Sequence, residues 1–101
     1  MASSIEAFSK FRMWKKSKMV LKLTLSTNGR PEAEIFTPVQ VSGVDEGLSL
    51  VSFVLLRERR FRTVDFGEAT FRIGKQKLEA DRGGKFLVCE EVKSLAVKII
   101  S

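Results

Sequence analysis

Met19-Val20-Leu21-Lys22-Leu23-Thr24-Leu25-Ser26-Thr27-Asn28-Gly29-Arg30-Pro31 decides the fold class. Met19, Leu21, Leu23 and Leu25 alternate with Val20, Lys22, Thr24 and Ser26, and a period of two is that of a strand with one buried face. Asn28-Gly29 then puts two residues tolerant of positive φ between extended runs, the strongest short-range hairpin signal. A second strand over residues 32–41 is therefore expected to pair antiparallel with the first. It would carry Ala33, Ile35, Thr37, Val39 and Val41 on one face and Glu34, Phe36, Pro38 and Gln40 on the other. Pro38 has no amide hydrogen to give a ladder, which assigns it to a sheet edge or a bulge.

Downstream, the turn-forming stretch Ser42-Gly43-Val44-Asp45-Glu46-Gly47 leads into residues 48–56, where Leu48, Leu50, Ser52 and Val54 oppose Ser49, Val51, Phe53 and Leu55. Apolar residues on both faces read as a central strand covered on its second face. Residues 57–60 form the next turn, although four long polar side chains without a glycine suit a tight turn poorly; an exposed bulge in one long strand pair is the alternative. Residues 61–66 and 69–73 are the next extended runs, separated by Gly67-Glu68, with Phe71 and Ile73 toward the core. Residues 76–80 and 86–90 flank Arg82-Gly83-Gly84-Lys85, a hairpin tip that presents two cations beside exposed amides. Residues 94–100 close the chain with Leu95, Val97 and Ile99 opposed to Ala96, Lys98 and Ile100.

Upstream the period changes. Ser3 precedes Glu6 by three residues, the capping-box spacing, and Ala7, Phe8, Phe11 and Trp14 fall on one stripe at about 100° per residue. This is an amphipathic helix. The aromatic stripe Phe8, Phe11 and Trp14 has three readings: a lid on the core of the domain, a membrane-surface anchor, or an interaction surface for another subunit. The lid is favoured, because the segment is short for a membrane anchor. The expected architecture is a mainly β single domain over residues 1–101, with a helix over 1–17 and an antiparallel body over 19–100. Its six to seven short strands would form a small barrel or a strongly bent sheet, with an open α+β sheet as the alternative.

Composition narrows the function. With 101 residues, 44% of them hydrophobic, there is material for one core. The apolar runs are far shorter than the roughly 20 residues of a membrane span, and the start carries no secretory pattern, so a cytoplasmic protein is expected. Histidine and tyrosine are absent and Cys89 is the only cysteine. The usual proton shuttle is therefore missing, no standard zinc site can form, and a catalytic role is not expected. Cys89 lies in Phe86-Leu87-Val88-Cys89, the pattern of a small buried hydrophobe. The adjacent carboxylates Asp45 with Glu46, and Glu90 with Glu91, would point to opposite faces of a strand and make poor acid–base partners. No glycine pattern makes a phosphate loop, and no cofactor is implied.

Lysine and arginine exceed aspartate and glutamate by 18 to 12, a net charge of +6. Two clusters carry the excess. Arg57, Arg59, Arg60 and Arg62 form the first; Lys10, Arg12, Lys15 and Lys16 form the second. They are the candidate contacts for an anionic partner, a nucleic acid or a nucleotide, with Phe36, Phe53 or Phe61 available to stack on bases. The bland reading is two solvated faces that keep a small protein soluble. A protein-interaction or homo-oligomeric module using the helix aromatics or a sheet edge is the alternative function. Arg12-Met13-Trp14-Lys15-Lys16 followed by Ser42-Gly43-Val44-Asp45-Glu46-Gly47 faintly resembles PilZ domains, which bind cyclic dinucleotides through R-x-x-x-R and D/N-x-S-x-x-G. Here the second arginine is Lys16, which cannot bind bidentately, and the serine stands five residues before the glycine rather than three, so no family is assigned.

Overall fold

The computed structural model describes residues 3–92. The strand expected over 94–100 lies outside the described residues. Helix α1 spans Ser4–Ser17 and is capped at both ends. Ser3 Oγ accepts from the Glu6 amide at 3.2 Å, and Glu6 Oε1 accepts from the Ser3 amide at 3.2 Å, so two otherwise orphaned donors are satisfied reciprocally. At the other end Lys18 takes the left-handed conformation, φ 54°, and its amide reaches the Lys15 and Trp14 carbonyls.

Among the described residues seven strands follow: β1 Leu21–Thr27, β2 Glu34–Asp45, β3 Leu50–Leu55, β4 Arg60–Asp65, β5 Thr70–Ile73, β6 Lys77–Arg82 and β7 Lys85–Glu91. They make one antiparallel sheet in the order β4-β3-β2-β1-β7-β6-β5. The alternating segment at Leu21–Thr27 is thus the centre of the molecule, paired with β2 on one side and β7 on the other. β3 is not central; it is second from an edge, and its second face, Leu50, Ser52 and Val54, is only half-buried. The mainly β architecture stands, but among the described residues the sheet is not closed into a barrel: β4 and β5, its two edges, share no ladder and are joined in the chain by the turn at residues 66–69.

Directly paired residues share a face, so the register separates inside from outside. Leu25, Glu34, Leu87, Ala80 and Phe71 form one row, and Leu23, Phe36, Cys89, Leu78 and Ile73 the next. This face carries the core. The faces expected for β2 hold only in part. Val39 and Val41 are buried, but Phe36 joins them inside while Ile35 is 56% exposed. The cause is a bulge: Leu21 and Leu23 pair with Val39 and Phe36, so an extra residue of β2, beside Pro38, reverses the alternation. A second bulge between Val41 and Gly43 turns Val44 toward the core opposite Val51. Pro38 therefore takes the bulge alternative.

α1 lies on the core face of the sheet, chiefly against β2 and β5. Phe11 meets Phe53 and Phe66 with ring centroids 6.1 and 5.1 Å apart, and Phe8 meets Phe66 and Phe71 at 6.4 and 6.3 Å. Edge-on and tilted contacts of this kind add to the area buried. The indole N–H of Trp14, whose side chain is fully buried, donates to Glu91 Oε2 at 2.9 Å, tying α1 to the end of β7. No helix among the described residues is long and apolar enough to cross a membrane.

Candidate anion-binding surfaces

Phe8, Phe11 and Trp14, the residues of the aromatic stripe, are at most 1% exposed and pack beneath α1 against the chain's own sheet.

The basic helix cluster divides in two. Lys10 Nζ donates to the Lys75 carbonyl at 2.9 Å and sits over the Trp14 ring, 4.9 Å from its centroid. Arg12 pairs with Glu46 at 2.5 Å, which pins α1 to the β2–β3 turn. Both act within the fold. Lys15 and Lys16 are exposed in the last helical turn, where positive charge suits the carbonyl end of the helix dipole. The segments with the faint PilZ-like spacing thus meet through a surface ion pair, Arg12 with Glu46.

The arginine cluster is built by the β3–β4 hairpin. Leu55 and Arg60 are the last ladder pair, and residues 56–59 make the turn. Without a glycine, Arg59 itself adopts the left-handed region, φ 55°, and its amide donates to the Leu55 carbonyl at 2.8 Å. The tip is therefore a tight hairpin, not an exposed bulge in one long pair. Arg57 and Arg59 are exposed and form no ion pair among the described residues; Arg60 stands 3.7 Å from Glu58. Phe61 is 71% exposed and shares the outer face with Val54, its ladder partner. Of the rings considered for stacking, Phe53 is fully buried and Phe36 half-buried, leaving Phe61.

Arg62 does not belong to this tip. Its pairing with Phe53 puts it on the inner face, where its guanidinium lies 5.2 Å from the Phe36 ring centroid and 4.0 Å from Glu34. It overlooks a cleft of about 300 Å³ between β4 and the β1–β7–β6 side of the sheet. Leu25, Val64, Phe66 and Leu87 give this cleft an apolar floor. Around it stand Arg62, Arg82 and Lys85, the carboxylates Glu34 and Asp65, and the hydroxyls of Ser26, Thr27 and Thr63. Arg82 is committed: its Nε donates to the Gly67 carbonyl at 2.8 Å and its guanidinium pairs with Asp65 at 3.5 Å. Lys85 forms no ion pair among the described residues.

In the sequence, Arg82 and Lys85 flank a hairpin tip that presents two cations beside exposed amides. Nothing local puts them beside Arg62, because that proximity needs the β1–β7 pairing that folds the two arms of the sheet toward each other. Cys89 is fully buried on β7, and burial pushes its thiol well above the ordinary value, which leaves it inert as a nucleophile.

Comparison of the chain with protein-family models, with curated proteins and with solved structures finds no match.

Proposed function

We propose that the domain is a non-catalytic binding module for an anionic polymer, single-stranded nucleic acid, with the β3–β4 hairpin as its contact. The observation that carries this reading is the exposed ring of Phe61 on the same hairpin as Arg57 and Arg59, two exposed cations that form no ion pair among the described residues. A solvated tip needs the arginines but gains nothing from a large exposed aromatic, whereas a single strand uses both: phosphates pair with guanidinium groups while a base stacks on the ring. Arg60 and the helix residues Lys15 and Lys16 add to the positive field that favours encounter.

The test is fluorescence anisotropy with a labelled deoxythymidine oligonucleotide across a salt series. Each phosphate neutralised on a single strand contributes about 0.7 to the slope of log affinity against log salt, so Arg57→Ser with Arg59→Ser is expected to flatten it by about 1.4. Phe61→Ala is expected to weaken binding by about 1–3 kcal/mol at every salt concentration. Unchanged affinity in both variants rejects the hairpin as the contact.

A second reading, self-association through a sheet edge, is favoured by the open sheet: among the described residues, β4 and β5 each leave one side of the backbone unpaired. Against it, β5 has only four residues and β4 carries Arg60 and Arg62, both features that discourage edge pairing. Light scattering separates the two readings, since an edge dimer persists at high salt without any oligonucleotide.

A further inference from the structure

We propose that the cleft between β4 and β7 is a second and separate site, which binds a small hydroxylated phosphate monoester, of the kind represented by a sugar phosphate or a nucleoside monophosphate. Three features of the cleft lead to this class. Its volume of about 300 Å³ lies at the lower end of ligand pockets, which run from about 300 to 1,000 Å³, so it suits one small molecule and not a polymer. Its rim offers two cations without a close ion pair. Lys85 has no ion pair among the described residues, and Arg62 meets Glu34 only at 4.0 Å, the outer limit of such a contact. A phosphate presents several acceptor oxygens, which a planar guanidinium and an ammonium can share with the hydroxyl of Thr27, the ladder partner of Lys85.

The carboxylates then have a function that a bare anion would not give them. Glu34 and Asp65 would repel the charge of a phosphate, and inorganic phosphate has only its own P–O–H to offer them in return. Asp65 is held by Arg82, but Glu34 is an acceptor that can take a hydroxyl of the ligand once Arg62 swings to the phosphate. Hydroxyls on the same molecule as the phosphate resolve the mixture of signs around the rim. The apolar floor receives the remaining body of the ligand, a base or the carbon face of a sugar.

Arg62 and Lys85 sit on strands far apart in sequence, and Lys85 lies at the opposite arm of the sheet from the Arg57–Arg59 tip, so this site stands or falls independently of the nucleic-acid reading. Titration of the full chain with adenosine monophosphate, glucose 6-phosphate, inorganic phosphate and adenosine, followed by amide chemical-shift changes, tests it. Saturable shifts at Thr27, Arg62 and Lys85 are expected with at least one of the two esters, at an affinity tenfold or more above that of inorganic phosphate or adenosine. Response to adenosine monophosphate alone identifies a base on the floor, and response to glucose 6-phosphate alone identifies a sugar. Lys85→Gln, an exposed change, is expected to weaken ester binding tenfold or more with an unchanged thermal midpoint. Glu34→Gln is expected to narrow the preference for the ester over inorganic phosphate, because it tightens the latter. Arg57→Ser with Arg59→Ser is expected to leave all of this intact. Absence of saturable shifts with both esters, equal binding of inorganic phosphate, or an unaltered Lys85→Gln protein overturns the site.

Discussion

Trp14 and Glu91 are joined by one hydrogen bond across 77 positions of sequence, and that bond lets the largest side chain of the core carry a polar atom without penalty. Trp14→Ala is expected to cost about 3–5 kcal/mol by urea unfolding, the range for deleting a large buried aromatic. Glu91→Ala leaves the indole N–H buried and unmatched and is expected to cost about 1–3 kcal/mol. Cys89 sets a pH dependence. Its thiol is raised by burial in the folded state, so its contribution to stability is complete below the ordinary thiol value of about 8.5 and declines as pH rises past it, because unfolding then releases the proton. Wild type is expected to lose more stability than Cys89→Ala between pH 7 and pH 9.5. At the hairpin between β6 and β7, Gly83 and Gly84 have φ of 58° and 87°. An added Cβ at Gly83 meets nothing within 4 Å, so Gly83→Ala isolates the backbone term and is expected to cost about 1–2 kcal/mol.

At the scale of elements, most of what the sequence announces is local, and much of it holds; the exception is Ser42–Asp45, expected as turn, which completes β2 while residues 46–49 make the turn. The capping box at Ser3 and Glu6, the period of two through Leu21, Leu23 and Leu25, and the glycine pair at the β6–β7 tip each state a backbone preference within a few residues. Asn28-Gly29 is a partial case: only Gly29 takes positive φ, 85°, in a turn closed by the Arg30 amide on the Thr27 carbonyl, and the link to β2 is longer than a two-residue hairpin. The bulges in β2 were not legible in detail, because a bulge is a mismatch between two strands and neither strand carries the count alone. Pro38 marked the place without giving the register. The same limit governed the sites. Arg57 and Arg59 are near neighbours in sequence and stand at one hairpin tip; Arg62, close to them in the chain, faces inward because β4 alternates, toward Glu34 at the start of β2 and a cleft that Lys85 of β7 also lines.

The whole molecule rests on pairings between distant segments. β1 and β7 share seven ladder pairs, from Leu21 with Glu91 to Thr27 with Lys85, and these join a β1–β4 arm to a β5–β7 arm. Such non-local contacts place folding in the range of about milliseconds to seconds, slower than helical domains of this size, and stopped-flow refolding checks it. Closure of the sheet was the one global property the strand count could not give: seven strands are enough to curl, yet the β4–β5 turn brings the last strand of one arm into the other without ladder bonds between them.

An unclosed sheet has two free ends and one middle. Each amide of β1 bonds to β2 or to β7 and exchanges with solvent only once that neighbour has parted from it, whereas among the described residues the outer amides of β4 and β5 face no ladder partner. Protection against hydrogen–deuterium exchange should therefore fall in two directions from the centre, through β2 and β3 on one side and β7 and β6 on the other, so that the molecule frays like a ribbon from both ends instead of opening as a ring.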